Sequence, residues 1–139
     1  MMIDFVIVVI GMLSFTALIW EYQRQTEKKE NEEKLERAGD LLRGVLYAVP
    51  SSHGILHALK VLKHAHSALE QCPKLTQDIK LAIMLAALLH DADDKKYFPK
   101  NKNYQNARQI VRKVYPDVED LVIEMIGYVA CSANGSSIP

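Results

Sequence analysis

The chain has 139 residues, enough for one domain with a sizeable core, and its 49% hydrophobic and 24% charged residues are those of an ordinary globular protein. Seventeen basic residues balance seventeen acidic ones, which argues against the basic surface of a nucleic-acid-binding protein. Two cysteines, Cys72 and Cys131, make no metal-ligand or redox spacing; free thiols fit a reducing compartment, and a single disulfide between them is the alternative.

Apolar residues are concentrated at the start. Residues 5–20, FVIVVIGMLSFTALIW, carry no charge and as a helix span about 24 Å, which residues 1–3 extend towards the roughly 30 Å of a hydrocarbon core. Trp20 and Tyr22 stand where interfacial aromatic anchors belong, and Arg24, Lys28, Lys29 and Lys34 follow, with no basic residue before them. Residues 1–22 are therefore read as a single-pass membrane anchor, and the positive-inside rule puts the rest of the chain in the cytoplasm. A buried core helix is the competing reading. A cleaved signal peptide is disfavoured, because no Lys or Arg opens the chain and no small-x-small site follows. Residues 23–34 form a charged linker within the stretch 21–36, where Glu30 with Lys34 and Glu33 with Arg37 have the four-residue spacing that supports a helix.

Residues 35–139 are expected to fold as one all-α domain of about five helices. Leu35, Ala38, Leu41, Leu42, Val45, Leu46 and Val49 give a first amphipathic helix ending before Pro50. Ser52 is placed to cap a second, running to about Gln71 with Leu56, Leu59, Val61 and Leu62 inward, and Pro73 breaks it. Thr76 caps a third, Gln77 to His90, apolar nearly all round and hence central. A polar loop follows from Asp91 to Asn103. A fourth helix covers about Tyr104 to Val114, and Pro116 opens a fifth from Asp117 to about Cys131.

Two segments carry the chemistry. The first is Ser51-Ser52-His53-Gly54-Ile55-Leu56-His57-Ala58-Leu59-Lys60-Val61, which sets His53 and His57 on one face at a helix start. The second, Leu85-Ala86-Ala87-Leu88-Leu89-His90-Asp91-Ala92-Asp93-Asp94-Lys95-Lys96-Tyr97-Phe98, ends an apolar helix in a His-Asp dyad. Burying that dyad against so apolar a helix is costly unless it is paired, and a divalent metal is the strongest candidate partner. Adjacent residues in mid-helix point about 100° apart, so the helix end is where both side chains can aim at one point. His64 and His66 are expected on the helix surface, and Asp93 between solvent and the edge of the site.

Together these segments resemble the HD-domain metal-dependent phosphohydrolase superfamily, in its small branch with a His-Gly/Asp-x-x-His element and a His-Asp-x-x-Asp-x-Lys element. The resemblance covers about residues 35 to 132 and implies an HD-like helical bundle. It implies that His57, His90 and Asp91 ligate a divalent ion (Mn²⁺, Mg²⁺, Fe²⁺ or Zn²⁺), and that His53 lines the site. It further implies that Asp94 orients or activates a water and that Lys96 meets the phosphate of a small molecule such as a nucleotide. The superfamily site includes a further Asp on a later helix. Asp117 and Asp120 lie too near the start of the fifth helix to match it, so the chain is expected to be C-terminally truncated and its metal site weakened. The alternative function is a catalytically silent, membrane-anchored module for binding or assembly.

Overall fold

The computed structural model describes residues 1–50 and 53–129. Among them are five α-helices and no strand: α1 (Met2–Val45), α2 (Ile55–Leu69), α3 (Gln77–Leu89), α4 (Gln105–Val114) and α5 (Glu119–Val129), with a 3-10 turn over Pro116–Val118 before α5. The chain divides into two compact units, Met1–Glu32 and Glu33–Pro139. The proposed cap Ser52, the thiol Cys131 and the tail after it lie outside the described residues.

The apolar start and the charged linker are helical and continuous with the first helix of the domain, so α1 runs for 44 residues. Within Met1–Glu32, one stretch is long and apolar enough to cross a membrane, and none of it is buried inside the protein. Phe5, Phe15 and Trp20 are among its exposed side chains. The ion pair in the charged stretch is Arg24 with Glu21, at 2.7 Å, rather than Glu30 with Lys34. Lys34 instead lies 4.1 Å from the Tyr115 ring centroid, a cation–π contact that a four-residue pairing rule does not foresee.

In the second unit, α3 is the central element. Thr76 caps it, its hydroxyl accepting from Ile79 N at 3.3 Å. Leu81, Ala82, Leu85, Leu88 and Leu89 are buried almost completely. It packs against α2 and α5, and α4 packs on α5 and the 3-10 turn. The end of α1 and the residues just after it add Ala38, Leu42 and Leu46 to this core, with Leu35, Leu41, Val45 and Val49 at its margin. The buried stripe of α2 is Ile55, Ala58, Leu59, Leu62 and Leu69. Leu56, expected inward, is 67% exposed: the stripe recurs at three- and four-residue steps from Ile55, which turns Leu56 onto the neighbouring face. Pro116 opens the 3-10 turn, and α5 follows at Glu119.

Candidate metal centre

Packing α2 against α3 brings the first turn of one helix to the last turn of the other. His57 is the third residue of α2, His90 is the C-cap of α3, and Asp91 opens the turn beyond it. His90 keeps helical dihedrals (φ −58°, ψ −31°), and the dyad converges because the chain turns immediately afterwards. His57 Nε2 stands 3.3 Å from His90 Nε2. Asp91 Oδ2 is 3.2 Å from His90 Nε2 and 3.6 Å from His57 Nε2. These three atoms form a nearly equilateral triangle. A tetrahedral ion with bonds of about 2.0–2.1 Å sets its ligands about 3.3–3.4 Å apart, so the donor set fits a metal, and His57, His90 and Asp91 could hold one.

The surroundings orient the donors. His90 Nδ1 lies 2.8 Å from Ala87 O; a carbonyl only accepts, so Nδ1 carries a proton and Nε2 is left for the triangle. The hydrogen bond to Asp91 raises the His90 pKa above the ordinary imidazole value, against the opposing effect of burial, with help from the Ala87 carbonyl and the Asp91 charge. The same bond holds the Asp91 carboxyl below the usual carboxylate range, despite burial, with smaller help from the charges on His90 and His57. Without metal, a proton on His90 Nε2 occupies the place that an ion would take. Side-chain exposure rises from 18% at His90 and 26% at Asp91 to 36% at His57 and 42% at His53, so the centre opens on the His53 side.

His53 stands just before α2. Its backbone N–H donates to Pro50 O at 3.0 Å. Gly54 permits the close approach of its backbone to the Val49 and Pro50 carbonyls: a Cβ there would stand 3.1 Å from Pro50 O and 3.2 Å from Val49 O, and backbone oxygens cannot swing aside as a side chain can. The His53 ring lies 5.9 Å from Tyr97 and 6.2 Å from His57, centroid to centroid.

The loop after Asp91 is organised by two carboxylates. Asp93 is tied to α4: its Oδ1 accepts from Asn101 Nδ2 (2.8 Å) and Asn106 N (2.7 Å), and its Oδ2 from Ala107 N (3.0 Å). Asn106 and Ala107 are the second and third residues of α4, whose N-cap, Tyr104, offers no side-chain bond. A remote carboxylate thus supplies the missing cap, at the end of the helix where negative charge is favoured. Asn103 and Tyr104 both have left-handed backbones (φ 54° and 55°), and Arg108 donates to the Asn103 carbonyl and side chain, fixing that bend. Asp94 caps its own turn, its Oδ1 accepting from Lys96 N at 2.9 Å and its carbonyl from Tyr97 N and Phe98 N.

Of the residues singled out by sequence, the structure therefore gathers His57, His90 and Asp91, with His53 beside them. Asp94 is engaged in its own turn, and Lys96 is exposed with its ammonium 5.6 Å from the Tyr97 ring centroid. His64 and His66 are on the exposed surface of α2, where His66 faces Glu70. Asp120 is fully exposed near Arg108, and neither it nor Asp117 joins the ligand group. Two contributors escaped the sequence reading. Tyr97, packed on His53, is signalled only as an aromatic in a polar loop, and the Asp93 clamp has no local signal at all.

No family model matches the chain, and no solved structure matches it. An uncharacterized protein of Acanthamoeba polyphaga mimivirus is similar to it, 30% identical over 99 residues that take in 61% of this chain. The chain spans 40% of the length of that relative.

Proposed function

We propose that the chain is a membrane-anchored, HD-type metal-dependent phosphohydrolase acting on a nucleotide or another phosphate ester or anhydride. The supporting observation is the triangle of His57 Nε2, His90 Nε2 and Asp91 Oδ2, with edges of 3.2–3.6 Å. Bound there, a divalent ion supplies activation of a water and neutralisation of phosphate charge. His57, His90 and Asp91 hold it, and the Ala87 carbonyl keeps His90 in the ligating tautomer. Asp94 serves in proton handling, and Lys96, exposed at the open edge beside Tyr97, meets the substrate phosphate. Residues 5–20 insert as the anchor, and the basic residues that follow them, Arg24, Lys28, Lys29 and Lys34, favour the cytoplasmic side for the helical domain.

The test is paired. Metal content and hydrolysis of a nucleotide panel are measured on the full chain and on His90→Ala, and both quantities should fall together. Unchanged metal content in the variant would refute the site. The engagement of Asp94 in its own turn favours a second reading, a metal- or ligand-binding module without turnover. Stoichiometric metal with no hydrolysis of any nucleotide would select it.

A further inference from the structure

His53 is the one described residue with a buried side-chain nitrogen that has no hydrogen-bond partner, and the atom is Nδ1. The ring as a whole is 42% exposed, so one edge faces solvent while Nδ1 is turned inward. That nitrogen stands 3.7 Å from Asp91 Oδ2, too far for a hydrogen bond, yet this is the same oxygen that His57 and His90 face. A buried polar atom with a long ion-pair contact and no hydrogen bond calls for an explanation, and an ion is one of the few that fit.

We infer that His53 Nδ1 is a fourth metal ligand, making the centre a three-imidazole, one-carboxylate site that takes a borderline transition-metal ion such as Zn²⁺ and rejects Mg²⁺. This rests on the metal centre proposed above. A tetrahedral ion held by three donors leaves one vertex, and no second carboxylate joins the group among the described residues. His53 Nδ1 stands outside the His57–His90–Asp91 group, whose donor atoms all lie within 4.8 Å of one another, so its ring must swing inward to ligate; because His53 precedes the Gly54 N-cap, that movement leaves α2 undisturbed. Tyr97, packed on the ring, limits how far it strays. The donor chemistry then decides the metal. Imidazole nitrogen suits zinc, iron and cobalt, whereas magnesium demands six oxygens in near-ideal octahedral geometry and keeps several waters. With one carboxylate among four donors, the ligand set carries a single negative charge, which further weakens its hold on a hard cation.

The experiment uses the full chain in detergent micelles, stripped of metal by a chelator. Zn²⁺ and Mg²⁺ are titrated into wild type, His53→Ala, His53→Asp and His90→Ala, and the zinc X-ray absorption fine structure is recorded. Wild type should bind one Zn²⁺, resist competition by excess Mg²⁺, and show scattering from three imidazole rings. His53→Ala should show two rings and lose more than the roughly 10–100-fold in affinity that an outer-sphere partner provides. His53→Asp should regain Zn²⁺ affinity and gain affinity for Mg²⁺. Two rings in the wild-type spectrum, or a loss in His53→Ala of no more than about 100-fold, would overturn the assignment. The wild-type spectrum depends on no variant, so misfolding of a mutant cannot mask the result. Abolished binding in His90→Ala beside near-normal binding in His53→Ala would remove only the fourth ligand. Absence of zinc from wild type would remove the metal centre and this inference with it.

Discussion

Replacing Asp93 with Ala removes one carboxylate and strands three donors: Asn101 Nδ2, Asn106 N and Ala107 N, now bonded at 2.7–3.0 Å. Two of them are helix N-terminal N–H groups with no local cap to take over. Loss of an ordinary cap costs about 1 kcal/mol, up to about 2, and loss of a negative charge at a helix N-terminus about 0.3–1 kcal/mol. Asp93 is half-buried, so water recovers part of the loss. The expected destabilisation is about 2–3 kcal/mol, a drop in melting temperature of about 10–20 °C for a unit of this size. Asp93→Asn keeps one acceptor oxygen and should lose about half as much. The assay is reversible denaturant unfolding followed by circular dichroism, with metal affinity measured in parallel, because a loosened loop no longer holds Tyr97 against His53. A destabilisation below about 0.5 kcal/mol in Asp93→Ala would show that the clamp contributes nothing, and the account of α4 capping would fall.

Other perturbations reach other parts of the molecule. In Gly54→Ala the new Cβ presses on the Val49 and Pro50 carbonyls, so a loss of about 1 kcal/mol and weaker metal binding are expected; calorimetric titration checks both, and unaltered values would mean that the two carbonyls move aside freely. Because the folded state raises the His90 pKa above the ordinary 6.5, its contribution is complete below that pH and is lost as pH rises through the raised value. Asp91, held below the ordinary 3.8, contributes above that pH, and the contribution is lost as pH falls through the lowered value. Metal-free protein should therefore be most stable between about pH 4 and 6.5, and metal uptake should strengthen above that window as the His90 Nε2 proton leaves; a flat stability profile for wild type, or one shared by His90→Ala, would contradict the pairing. Carbonate extraction should leave the full-length chain in the membrane pellet, and recovery in the supernatant would dismiss residues 5–20 as an anchor.

What could be read from sequence was local. Thr76 precedes an apolar run and does cap α3, and the near-continuous apolarity of that run matches its central place. His57, His90 and Asp91 were legible because the two segments that carry them resemble the metal-ligating elements of a known superfamily, which pairs a helix start with a helix end. Leu56 was misplaced because a cluster of aliphatic residues around one turn leaves the phase of the buried stripe ambiguous by a single position. The Asp93 clamp and the Lys34–Tyr115 contact were invisible for a different reason. The first joins residues 13 and 14 apart, the second joins α1 to the residue that follows α4, and no periodicity or propensity reports which long-range pairs will form.

The Asp93 clamp also divides the loop into parts with different freedom to vary. Its carboxylate, two residues past Asp91, pins Asn101 and the start of α4, so residues 94–100 form a noose closed at its base. Lengthening such a noose costs little, about 0.6 kcal/mol for each doubling, and the strain of an insertion would stop at the knot. Lys95, Lys96, Tyr97 and Lys100 all hang within it. Evolution, or a protein engineer, could therefore exchange the lysines that border the mouth of the centre, or lengthen the segment around them, without disturbing the atoms that grip an ion, provided that Tyr97 stays against His53.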